Sequence, residues 1–94
     1  MWNFADHAAD ADKATNLALA ADRLNALRGL VPGMLTLEVA LPSEPLEHSY
    51  DLVLYSEFAT GEDLRAYATH PDHVAVGHFI TQVRTERVCV DYEV

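Results

Sequence analysis

Cysteine is nearly absent from these 94 residues: Cys89 is the only one. No intrachain disulfide can form, and the paired CxxC spacings of zinc and redox sites are excluded. Positive charge is also scarce, with six Lys and Arg against fifteen Asp and Glu and a net charge of −9. Such a surface repels nucleic acid, whose phosphates call for clustered cations, and it disfavours anionic membranes for the same reason. The four glycines form no phosphate-cradling loop. There is no Gly-x-Ser-x-Gly, and Ser43, Ser49 and Ser56 have no evident triad partners. No stretch approaches the ~20 apolar residues of a membrane span, and the first residues lack the basic start and apolar run of a signal peptide. The reading is a cytosolic protein. Cys89 lies in the apolar run Val88-Cys89-Val90, and it is expected to be a buried, inert thiol.

What is present is apolar: half of the residues are hydrophobic. The chain has the length of a single domain over residues 1–94. A domain this small buries only about two-thirds of its unfolded surface, so self-association would help it. Trp2 and Phe4 alternate with Asn3 as at the end of a short strand. Asp10 or Asp12 can cap a helix in which Leu17, Ala20, Ala21, Leu24, Leu27 and Leu30 recur at three- and four-residue spacing, roughly five turns ended near Gly29 and Pro32-Gly33. Strands are expected over Met34–Leu41, with Leu35, Leu37, Val39 and Leu41 on one face, and over Tyr50–Phe58. Thr60 caps a short helix, with Asp63 three residues on. Pro71 opens a second helix to about Val83, and Arg87–Val94 reads as a last strand. The order predicts an α+β, ferredoxin-like βαββαβ fold with an antiparallel sheet and a short first strand. Apolar residues on both sides of the middle strands predict that the bare sheet face packs on a second copy, closing a homodimeric α/β barrel.

The densest chemistry is the run Tyr67-Ala68-Thr69-His70-Pro71-Asp72-His73-Val74, a phenol and two imidazoles at a helix junction. His70 and His73 stand at metal-ligand spacing, but no third ligand accompanies them, so no metal is expected. His70 reads as capping or packing at the helix junction, with one ring nitrogen bonded to a backbone carbonyl. His73 falls in the first turn of its helix, where the dipole lowers an imidazole's pKa and keeps it a neutral base. Tyr67 and His73 are therefore the candidate catalytic pair, suited to proton abstraction beside a carbonyl without a cofactor. His7 reads as part of a solvated helix start, and His48 as a loop residue.

Several of these pieces together resemble the stress-responsive dimeric α/β-barrel family: Pro32-Gly33 at the helix exit, Tyr50-Asp51, Phe58, Leu64 through Val74, and Val90-Asp91-Tyr92. The resemblance spans nearly the whole chain. It implies a ferredoxin-like monomer that pairs into a homodimer around a barrel, and a stress-related role. One member of that family, a polyketide cyclase, closes its substrate by an aldol reaction without a cofactor, and its tyrosine and histidine would correspond to Tyr67 and His73. The family's first strand is about twice as long as Met1–Phe4 and carries a cavity-facing histidine that has no counterpart here. Met1 is accordingly expected to be an internal methionine of a longer reading frame. The leading functional expectation is a homodimer that binds a small apolar molecule in a cavity. The alternatives are a cofactor-free cyclase or lyase using His73 and Tyr67, and a structural stress protein without turnover.

Overall fold

The alternation of Trp2, Asn3 and Phe4 produces strand β1 (Trp2–Phe4) in the computed structural model, which describes residues 1–94. Phe4 is buried and Trp2 packs against the core, while the Asn3 amide faces away and donates to the Ser49 carbonyl. A hairpin that the sequence pattern did not predict follows, β2 (His7–Ala8) and β3 (Ala11–Asp12). Its turn residues Ala9 and Asp10 have φ of 48° and 60°, a conformation usually given to Gly or Asn. The hairpin is held from helix α1 (Lys13–Asn25) by Asn16, a buried polar residue whose Nδ2 donates to the carbonyls of Ala8 and Ala11.

Asp12 caps α1, its Oδ1 accepting from the Thr15 amide at 2.8 Å. The helix is shorter than the predicted five turns. After Asn25 the amides of Leu27, Arg28 and Leu30 donate to carbonyls three residues back, and Gly29 at φ 78° closes the turn. Leu27 remains buried, so its apolar spacing is honoured by these tighter turns rather than by further α-helix.

Strands β4 (Met34–Ala40) and β5 (Val53–Phe58) pair antiparallel, with Glu38 opposite Tyr55 and Val39 opposite Leu54. Both are shorter than predicted. The expected shared face of Leu35, Leu37, Val39 and Leu41 is also corrected. A bulge between Met34 and Thr36 breaks the alternation, leaving Leu37 buried and Leu35 66% exposed, and Leu41 lies past the strand end. Helix α2 (Gly61–Thr69) is capped by Thr60, whose hydroxyl accepts from the Asp63 amide and donates to the Asp63 carboxylate. That carboxylate lies against Gly33, where any Cβ would overlap it. Helix α3 (Pro71–Val83) follows and runs into β6 (Arg84–Arg87).

The predicted last strand is displaced. β6 pairs with β1, and the ladder ends where Val88 and Met1 exchange two backbone hydrogen bonds of 2.9 Å. Cys89–Val94 has no ladder partner, and so Cys89 is exposed rather than buried. The strands lie in the order β6–β1–β5–β4, all antiparallel, with one bridge, Trp2 to Leu52, joining β1 to the β5 side. This is the ferredoxin-like βαββαβ arrangement, with the small hairpin added. Phe4, Leu37 and Leu52 from the sheet meet Ala20, Leu24, Ile80 and Val83 from α1 and α3 in one core. Paired positions on the opposite face of β4 and β5 carry a mixed set: Thr36 with Glu57, Glu38 with Tyr55, and Ala40 with Val53. No helix is long and apolar enough to cross a membrane.

Candidate functional site at the helix junction

The break between α2 and α3 is built by His70 and Pro71. His70 has extended geometry, φ −63° and ψ 135°, as a residue before proline should. It caps α3, but through its ring: Nδ1 accepts from the Asp72 amide at 3.1 Å, so the partner is a backbone N–H and not the expected carbonyl. The reversal brings His73 back onto Tyr67. Their ring centroids lie 4.5 Å apart at 55°, and Phe58 of β5 covers another side of Tyr67 at 5.2 Å and 47°.

Tyr67 is only 5% exposed, and its hydroxyl has no hydrogen-bond partner. Burial pushes its pKa above the ordinary phenol value, so it is a neutral O–H donor. His73 places Nδ1 3.0 Å from the Ala68 carbonyl. Only a protonated Nδ1 can donate to that oxygen, which leaves Nε2 as a free lone pair. The His73 pKa lies below the ordinary imidazole value, chiefly through burial; the bond to Ala68 acts the other way, and Arg87 adds to the lowering. The neutral base expected at this position is thus explained first by desolvation rather than by the helix dipole.

Both rings line an open cleft of about 1510 Å³. Leu54 and Phe58 of β5 and Val76 and Ile80 of α3 supply apolar wall, and Arg84, Arg87 and the segment Val88–Val94 form the other side.

Of the residues singled out by sequence, Tyr67 and His73 come together, whereas His70 is occupied as a cap. His7 and His78 are exposed, and the His48 Nδ1 lies beside the Leu46 carbonyl. No three His, Cys, Asp or Glu side chains converge as metal ligands. Arg84 and Arg87 are cleft residues that the sequence pattern missed. Strict strand alternation puts positions three apart on opposite faces. Here Arg84 pairs with Phe4 and Arg87 with Trp2, and Thr85 is skipped in the register. Directly paired residues share a face, as do Trp2 and Phe4, so the bulge places both arginines on the helix-covered side.

The profile of the stress responsive A/B barrel domain matches residues 1–94. No curated protein matches the chain. Among solved structures, a dimeric protein of unknown function with a ferredoxin-like fold from Bacteroides fragilis NCTC 9343 is 32% identical, with a TM-score of 0.77. The likeness covers 99% of this chain and 89% of that one.

Proposed function

The chain belongs to the stress responsive A/B barrel family, and we propose that it acts as a homodimer of single 94-residue domains, each binding a small, largely apolar molecule in its cleft. The observation that carries this reading is the Tyr67 hydroxyl, which is buried, without a partner, and on the cleft wall. A buried hydroxyl left unpaired costs about 1–3 kcal/mol. A ligand carbonyl accepting from it would remove that cost, while Leu54, Phe58, Val76 and Ile80 receive the apolar part. The dimeric relative from Bacteroides fragilis supports the homodimer. Calorimetric titration with 2-nonanone tests the site. Tyr67→Phe should weaken binding about tenfold, the equivalent of one hydrogen bond; equal affinity for both proteins would remove Tyr67 from the site.

A second reading, a cofactor-free cyclase or lyase, is favoured by one feature: the free Nε2 of a neutral His73 beside the Tyr67 donor. In such a reaction His73 Nε2 takes a proton from the carbon next to the carbonyl, and Tyr67 donates to the enolate oxygen that forms. Loss of deuterium from α-deuterated 2-nonanone measures this step directly. Exchange that disappears in His73→Ala supports the enzyme; binding without exchange leaves a carrier. If there is neither binding nor exchange, the dimer itself is the functional unit.

A further inference from the structure

We propose that the molecule taken by this cleft is an apolar anion, such as an oxo-carboxylate, with its charged end on Arg84 and Arg87 and its apolar part running inward to bring a carbonyl to the Tyr67 hydroxyl. The proposal rests on the binding reading above and specifies the ligand class.

The chain has six cationic side chains. Three are engaged. Lys13 lies 3.6 Å from Asp6 and 3.5 Å from Asp51; the Arg28 guanidinium donates to the Leu37 carbonyl and Asn25; Arg23 stacks 4.3 Å over the Phe79 ring. The guanidinium groups of Arg65, Arg84 and Arg87 make no hydrogen bond or ion pair within the chain, although it contains fifteen acids. Two of those three line one cleft, brought to the same side by the Thr85 bulge. The acids on the cleft wall, Glu57, Asp91 and Glu93, pair with neither arginine. Arg84 and Arg87 are exposed, whereas Tyr67 is buried. Arg84 and Arg87 therefore place two unpaired cations at a wet rim that also carries Glu57, Asp91 and Glu93, and the cleft runs from there to an apolar interior, the polarity of an amphiphile bound head outward. Guanidinium groups suit a carboxylate because their planar N–H fork matches its two oxygens.

Octanoate and octanamide share size and shape and differ in charge, so an NMR titration with both tests the proposal. Octanoate should bind at least about tenfold more tightly, with the difference shrinking at high salt. The double variant Arg84→Gln/Arg87→Gln should lower octanoate to the affinity of octanamide and leave octanamide unchanged; a thermal melt confirms that the variant is folded. Equal affinity of the two probes for the unaltered protein overturns the anion proposal while the binding reading stands. Failure of both probes to bind overturns the two together.

Discussion

Tyr67 carries a buried hydroxyl without a protein partner, so removing it should help the fold. Tyr67→Phe is expected to raise stability in urea by about 1–2 kcal/mol, because a buried unpaired donor is deleted at nearly constant shape. A loss of stability would mean that the hydroxyl has a partner after all. His73 sets a pH dependence of definite sign. Its folded pKa lies below the ordinary value of about 6.5, so in acid the unfolded chain takes up the proton first. The contribution is fully present above roughly pH 6.5 and declines as pH falls below it, until the folded imidazole also protonates. His73→Gln should flatten that part of the stability curve, measured by urea melts between about pH 5 and 7. At this scale the Tyr67–His73 pair was legible in sequence, because a proline four residues after a helical tyrosine forces a local reversal. Its occupied neighbour His70 was half legible: the capping role followed from its place before Pro71, but the bonded partner depended on ring orientation. Arg84 and Arg87 were not legible, because a bulge is a property of two paired strands and only one of them is local.

Among the elements, the β2–β3 hairpin shows where sequence signals fall short. Its turn lacks the Gly or Asn that marks such turns, and it exists because Asn16 binds its carbonyls from α1. Ala9 at φ 48° is strained for a residue with a side chain. Ala9→Gly should therefore stabilise the protein by about 0.5–1 kcal/mol, raising Tm by a few degrees for a domain of this size. Thr60→Ala, which removes the α2 cap, should destabilise by about 1 kcal/mol in the same melt. Helix starts were read well because caps are local, as with Asp12 and Thr60. Strand limits were read poorly for β5 and β6, since a strand extends only as far as its neighbour does. Val88–Val94 has the alternation of a strand and no adjacent strand to make it one.

For the whole molecule, the order of elements along the chain specified the ferredoxin-like fold, because that order follows from patterns spread along the sequence. Only 11 of 94 residues are buried in the single chain, a small core that leaves stability to be gained by association. Sedimentation at micromolar concentration should give about twice the 10.4 kDa chain mass. Tyr55→Glu, on the face of β5 away from the helices, should shift it toward monomer. A wild-type monomer under those conditions would defeat the homodimer.

The narrow link between β1 and the β5 side bears on mechanics as well as shape. Three backbone bonds between Trp2 and Asp51–Leu52, together with the Asp51 carboxylate accepting from the Phe4 amide, join one pair of strands to the other. The sheet is thus two leaves, one of each strand pair, on a short seam, and a hinge there would change the angle between them and with it the width of the cleft that both line. A ligand touching Phe58 on one leaf and Arg87 on the other would act as a brace, and the amides of Leu52 and Phe4 would register it as slower hydrogen exchange.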